Sequence, residues 1–297
     1  DPTHFGHDMA LSSDGAAVYV ADADGLITRT SADPERPVTP ERFGGPAATT
    51  VALNEPRSMV ATSGYAVPLE IAEMDDGGVV TRRITPTEGR LAHSMRFAPD
   101  GDSLVAALAE GGLVRIDPET GSELARRATS PALVSCIRFT PDSRWMLAGG
   151  RDGTIAVLDP ITLSTIRTIK ASTSQVRCLE IAPDGRMAAA AGDAGRVLIV
   201  DPHTGRVRAS DRISEDSLFS LAWHPSGRCI AVGDRHGQLS ILDADSLERV
   251  ATFSAGSSVM SMAFAPGGDA LFVSALHRPV ERWNFSALAG TLAANRP

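Results

Sequence analysis

Short runs in which apolar residues alternate with polar or small ones recur along the chain, and turn-forming residues separate them. Residues 134–139, 145–150, 154–159 and 164–169 form four such runs in succession. A period of two indicates half-buried β-strands, and runs this short fit strands better than helices. Proline, aspartate, serine and glycine lie between the runs, where they favour tight turns. We therefore predict four consecutive antiparallel strands in this segment.

The four-strand pattern repeats at a nearly fixed interval. Turns marked by proline lie 42, 42, 42 and 41 residues apart, and they begin at Pro99, Pro141, Pro183, Pro225 and Pro266. Weaker copies stand upstream at Ser13-Asp14-Gly15 and Glu55-Pro56-Arg57. A period of about 40–45 residues with four strands per repeat is typical of a β-propeller. The chain is thus predicted to be all-β, a seven-bladed β-propeller with four antiparallel strands per blade.

Because the repeat fills the chain, residues 1–297 are predicted to form one domain. Its blades are expected to start with inner strands near residues 6, 48, 92, 134, 176, 218 and 259. The first two blades are irregular. Residues 31–48 carry four prolines and must hold the first blade's outer strand as well as a long loop. In the last blade we expect residues 280–285 and 290–294 to supply the third and fourth strands.

The third strand of most repeats ends in an apolar residue followed by aspartate. These pairs are Ile116-Asp117, Leu158-Asp159, Val200-Asp201 and Leu242-Asp243, with Trp283-Asn284 in the last repeat. With Gly6-His7 in the first repeat, they resemble the WD-repeat (WD40) propeller family, in which Trp-Asp fills this position. The resemblance covers the whole chain without indicating a subfamily, and it implies a non-catalytic scaffold or adaptor. Residues 117–121 and 201–205 are also similar to bacterial surface and lactonase propellers.

The composition of the chain limits the kinds of partner that it is expected to bind. The formal net charge is −8 and the pI is about 5.4, which argues against direct binding to nucleic acid, since that requires clustered Lys and Arg. No run of 18 apolar residues is present, so membrane insertion is not expected. The three widely spaced cysteines, Cys136, Cys178 and Cys229, are interpreted as small buried apolar residues in a reducing, cytoplasmic location. A protein or peptide partner is therefore expected.

Aligning the repeats identifies a candidate binding surface, the second residue of each inner strand. We call these seven the channel-mouth residues: His7, Thr49, His93, Ser135, Arg177, Phe219 and Met260. In WD-repeat propellers, the resemblance implies, this register lies at the mouth of the central channel and receives a partner's side chain. Arginine and aromatic residues are enriched in binding hot spots. Two histidines without a third ligand do not predict a metal site, and no cofactor is expected.

Other functions were weighed against this one. Asp22, Asp24, Asp193 and Asp234 follow second strands and could hold a cation, but aspartates in turns more often bond their own backbone. The chain has neither a nucleophile elbow nor a P-loop motif. A propeller enzyme of the lactonase or cofactor-binding type, with convergent charges in the channel, is the alternative. Because the chain starts at Asp1 without methionine, a sensory domain of a larger protein also stays open.

Overall fold

The computed structural model of this chain describes most of its residues. The described residues are 8–21, 27–31, 41–43, 48–64, 67–74, 80–86, 90–128, 134–172 and 174–285. The chain divides into two compact units, 1–150 with 156–167 and 151–155 with 168–297. No helix in the described ranges is long and apolar enough to cross a membrane.

Almost all of the regular structure is β-strand. The first fourteen strands are β1 Met9–Leu11, β2 Ala17–Ala21, β3 Ile27–Ser31, β4 Glu41–Phe43, β5 Ala48–Asn54, β6 Met59–Gly64, β7 Glu70–Met74, β8 Val80–Ile84, β9 Ala92–Phe97, β10 Leu104–Leu108, β11 Leu113–Ile116, β12 Glu123–Arg127, β13 Val134–Phe139 and β14 Met146–Gly150. The remaining strands are β15 Thr154–Leu158, β16 Thr165–Lys170, β17 Val176–Ile181, β18 Ala188–Gly192, β19 Arg196–Asp201, β20 Arg206–Arg212, β21 Leu218–Trp223, β22 Cys229–Asp234, β23 Gln238–Asp243, β24 Arg249–Ser254, β25 Val259–Phe264, β26 Ala270–Ala275 and β27 Glu281–Asn284. The weaker turn copy of the second repeat, Glu55–Arg57, forms a 3-10 turn.

The strands form separate antiparallel sheets in chain order. Six sheets have four strands each, and the last, β25-β26-β27, has three within the described residues. Within the first unit the inner strands β1, β5, β9 and β13 lie side by side, and within the second so do β17, β21 and β25. These are the blades of an all-β propeller. The fourth strand predicted for the last blade, residues 290–294, lies outside the described residues.

The second strand of each blade explains why apolar runs interrupt the alternating pattern. β10, β14 and β18 are buried along their whole length. One face of β10 packs against the second blade and the other against the fourth. A strand buried on both faces carries a continuous apolar run instead of an alternating one. In β18 that run is four alanines and a glycine, Ala188–Gly192.

Within each unit, hydrophobic clusters of described residues lie between consecutive blades. In the first unit, Ile71 and Met95 meet between the second and third blades, and both are almost fully buried. In the second unit, Ile230 and Leu221 belong to the cluster between the fifth and sixth blades. Burying a side chain of this size contributes about 1.5–3 kcal/mol. Packing between blades therefore fixes the position of each inner strand, and with it the register of the candidate site.

Candidate functional site

A β-bulge marks the start of the inner strand in six blades. In the fifth blade Val176 pairs with Gly192 and Cys178 pairs with Ala191, so that Arg177 is the extra residue without a place in the ladder. The same shift occurs in five other blades, and the extra residues are Thr49, His93, Ser135, Phe219 and Met260. All six side chains are half-buried. A bulge turns its extra residue out of the pairing and redirects the side chain.

These six residues are the channel-mouth residues that the repeat alignment selected. Three belong to the first unit and three to the second. The seventh, His7, lies outside the described residues. The alignment identified the shared register but not the bulges, since a bulge is a mismatch between two strands.

Gly192 shows how the sequence permits a bulge. A Cβ atom at this position would lie 1.9 Å from the carbonyl oxygen of Gln175 and 2.9 Å from the amide nitrogen of Arg177. No other residue fits there without moving the backbone. In the fifth blade, the reason for glycine is contact with the bulged strand itself.

Arg177 and Phe219 come from neighbouring blades and are in contact. The guanidinium carbon of Arg177 lies 4.9 Å from the centre of the Phe219 ring, a cation–π distance. Nε of Arg177 also forms an ion pair with Asp193, and the two side chains are 22% and 30% exposed. Two contacts therefore hold the arginine in place. The edge that remains accessible combines an aromatic ring with a neutralised charge pair.

Asp8 forms a second charged cluster, in the first unit, that the candidate set did not include. Its Oδ2 accepts hydrogen bonds from Thr50 Oγ1 at 2.9 Å and from an Arg96 guanidinium nitrogen at 3.2 Å. Burial acts to raise the pKa of Asp8, but the guanidinium groups of Arg96 and Arg138 and these hydrogen bonds outweigh it, so the pKa lies below its usual range. Asp8 is thus an ionised side chain whose contacts link three blades. The only sequence signal was its place next to His7.

Two of the four aspartates considered as cation ligands are described, and both have other partners. Asp193 pairs with Arg177. Asp234 is buried, and its Oδ1 accepts bonds from the backbone amides of His236 and Gln238, each at 2.9 Å, while Ser214 donates to Oδ2. The interpretation as a turn residue is confirmed for Asp234. Asp22 and Asp24 lie outside the described residues, and within the described part of the chain no three His, Cys, Asp or Glu residues could hold a metal ion.

The cysteines behave as predicted. Cys136, Cys178 and Cys229 are all buried thiols. Burial, with a smaller contribution from Asp243, raises the pKa of Cys229 to about 11. Thiols of this kind are inert at neutral pH, because the thiolate is the reactive form.

In four blades an aspartate stands at the end of the third strand or directly after it, and it makes the same contacts each time. Its Oδ1 accepts hydrogen bonds from two backbone amides of the following turn. The aspartates are Asp117, Asp159, Asp201 and Asp243. Such a carboxylate fixes the turn between the third and outer strands. This is the position at which the resemblance placed the family's Trp-Asp.

Comparison with protein families agrees with this geometry. The family described as "WD domain, G-beta repeat" matches residues 124–159 and 163–201. The family described as "Anaphase-promoting complex subunit 4 WD40 domain" matches residues 209–266. With the arrangement of the sheets, these matches support a WD-repeat β-propeller. Comparison with curated proteins gave no match.

The two WD-domain matches have the same phase. Each begins on the outer strand of one blade, β12 or β16, and runs through three strands of the next. The repeat in the sequence is therefore offset by one strand from the blade in the structure. WD repeats generally mediate protein–protein interaction as scaffolds, and propellers of this family are typically non-catalytic.

Proposed function

We propose that this WD-repeat protein is a non-catalytic scaffold or adaptor that binds a protein or peptide through its channel-mouth residues. The observation that supports this most directly is the repeated bulge. Six blades put a half-buried side chain outside the ladder at the same register. The bulged backbone position is the same in each of these blades, while the side chains at it range from serine to arginine and phenylalanine. A constant backbone position with variable side chains suits recognition of a specific partner.

The proposal extends to a complete propeller. Seven sheets follow one another at the interval of the sequence repeat. We propose that they are the seven blades of one domain, residues 1–297, with residues beyond 285 completing the last blade. His7 would then join the other six residues around one opening.

Charge and family indicate the partner's type. A net charge of −8 favours a basic partner surface. The model that matches residues 209–266 is named for a subunit of a multiprotein complex. We propose membership of such a complex for this protein, in a reducing intracellular location where its buried thiols persist.

A comparative pull-down tests the channel-mouth proposal. Wild-type protein, the R177A/F219A double variant and an R206A/V207A control are immobilised and exposed to the native lysate. The control removes the same residue classes from the outer strand β20, where both side chains are exposed. Bound proteins are quantified by mass spectrometry, and circular dichroism verifies that all three proteins are folded.

The proposal predicts that one protein is retained equally by wild type and control. The double variant should retain at least tenfold less of it, which corresponds to a loss of about 1.4 kcal/mol in binding free energy. Arg177 and Phe219 are in contact with each other, so the double variant removes one joint cationic and aromatic patch from this surface. Equal retention by all three folded proteins contradicts the proposal.

A further inference from the structure

A groove lies between the fifth and sixth blades, within the second unit. Its volume is about 750 Å³. Side chains and turns that line it include Ala182, Met187, Ile199, Arg208, Trp223 and Ala244. Ala182 follows β17 and Trp223 ends β21, whereas Arg177 and Phe219 lie at the beginnings of these strands. At about 3.3 Å per residue, the groove is roughly 13–16 Å along the strands from the channel-mouth residues.

The walls of the groove are mostly apolar. Met187 and Trp223 are half-buried and pack against the core cluster between these two blades. The indole Nε1 of Trp223 donates a hydrogen bond to the carbonyl oxygen of Gly227 at 3.1 Å, so its polar atom is already satisfied within the protein. What remains for a ligand is apolar and aromatic surface. Tryptophan and methionine surfaces of this kind are enriched at protein interfaces.

The rim of the groove is acidic. Asp184 and Asp245 line it and are exposed. Arg208 also lines it, but its guanidinium pairs with the buried Asp201 at 3.0 Å, and the pKa of Asp201 is about 2, so that pair is neutral as a whole at physiological pH. The Nε of Arg186 lies 4.0 Å from Oδ2 of Asp184, and the Arg186 side chain is 80% exposed. Ion pairs this exposed are weak. The rim therefore favours a cation.

We propose that this groove is a second docking site, for an extended partner peptide that places a lysine or arginine beside an apolar side chain. The apolar side chain occupies the space between Met187 and Trp223. The cation faces Asp184 and Asp245, within reach of the indole ring, where a cation–π contact adds to the attraction. The site is separate from the channel mouth, so one scaffold holds two partner segments at once.

The test uses two fluorescein-labelled peptides, Gly-Ser-Leu-Arg-Leu-Ser-Gly and the matched Gly-Ser-Leu-Glu-Leu-Ser-Gly. Binding to the whole chain is measured by fluorescence anisotropy at low and high salt. We expect the arginine peptide to bind at least tenfold more tightly than the glutamate peptide. W223A should weaken the arginine peptide at least tenfold, and D184N/D245N about threefold to fivefold with a smaller salt dependence. R177A/F219A should leave its affinity unchanged.

If W223A unfolds, the D184N/D245N variant still tests the proposal. Asp184 and Asp245 are exposed, so replacing them leaves the core intact. Equal affinity for the two peptides overturns the proposal, and so does binding that D184N/D245N does not change. Loss of binding in R177A/F219A would assign the peptide to the channel mouth instead. Self-association in light scattering that D184N/D245N abolishes would show that a second copy of this chain occupies the groove, which also overturns the proposal.

Discussion

Replacing Asp201 with asparagine isolates the charge of the turn aspartate. The Oδ1 of Asp201 accepts bonds from the amides of His203 at 2.8 Å and Thr204 at 3.1 Å, and its Oδ2 accepts one from Arg208. Asparagine keeps a carbonyl oxygen for the two amides. It loses the negative charge and therefore the ion pair with Arg208. Asp201→Asn thus measures what ionisation of this buried carboxylate contributes to folding.

The size of the effect follows from the pKa of Asp201. Burial acts to raise it, but hydrogen bonds from Thr204, Arg208 and His203 dominate and lower it from 3.8 to about 2. That shift corresponds to about 2.5 kcal/mol in favour of the folded, ionised form at pH 7. Arg208 is 53% exposed, so water screens part of the interaction. We expect Asp201→Asn to lower the free energy of unfolding by about 1–2 kcal/mol.

The pH dependence has a definite sign. A carboxyl group with a lowered folded-state pKa stabilises the fold above its unfolded value, near pH 4, and loses this contribution as the pH falls toward 2. At pH 3 about half of the contribution remains. Urea denaturation at pH 7 and pH 3, followed by circular dichroism, should therefore show the difference between wild type and Asp201→Asn shrinking by about half.

Asp159 supplies the matched control. It accepts the same two kinds of turn bonds, from the amides of Ile161 at 2.9 Å and Thr162 at 2.7 Å, with the Thr162 hydroxyl as its side-chain donor. Asp159→Asn should therefore cost less than Asp201→Asn. A difference between wild type and Asp201→Asn that is the same at both pH values, or equal costs for the two variants, would refute the reasoning.

Three further predictions test the packing of the blades, two by the free energy of unfolding and one by thiol reactivity. Gly153→Ala should lower the free energy of unfolding, measured by urea denaturation, by about 3 kcal/mol or more, because φ is +78° and the new Cβ would lie 2.3 Å from the carbonyl oxygen of Ser172. Gly227 has a similar φ of +73°, but a Cβ there would meet open space. Gly227→Ala should therefore lower the free energy of unfolding by only about 1 kcal/mol. Cys229, whose pKa is about 11, should resist a thiol reagent at pH 8 in the folded protein and react at once in urea. His224→Ala should cost about 1–3 kcal/mol, since its Nε2 lies 3.0 Å from a turn carbonyl of the next blade.

The blades were accessible to sequence reasoning because each is built from local signals. Turns led by Pro141 and Pro183, with alternating runs between them, define strands without reference to the rest of the chain. The same repeat alignment placed Arg177 and Phe219 at one register, and the structure brings them into contact. A constant period makes residues one repeat apart neighbours in space, so this contact follows from the sequence.

Features that depend on how two strands or two blades pack against each other could not be predicted from the sequence in this way. The bulge at Arg177 depends on how β17 pairs with β18, and the pattern of neither strand alone reveals a register shift. The ion pair of Arg177 with Asp193 likewise joins side chains of two different segments. The groove beside Trp223 lies between two packed blades, and Arg208, which lines it, pairs with Asp201. Each of these features requires distances between side chains that are remote in sequence.

Photo-crosslinking from the position of Phe219 tests the central claim most directly. The photoreactive amino acid p-benzoylphenylalanine replaces Phe219, a conservative aromatic exchange, or Val207 on the exposed outer strand as a control. After irradiation in native lysate, adducts are identified by mass spectrometry. A scaffold that binds through its channel-mouth residues predicts one dominant protein adduct from position 219 and none from position 207. No adduct from 219, or the same adducts from both positions, would contradict it.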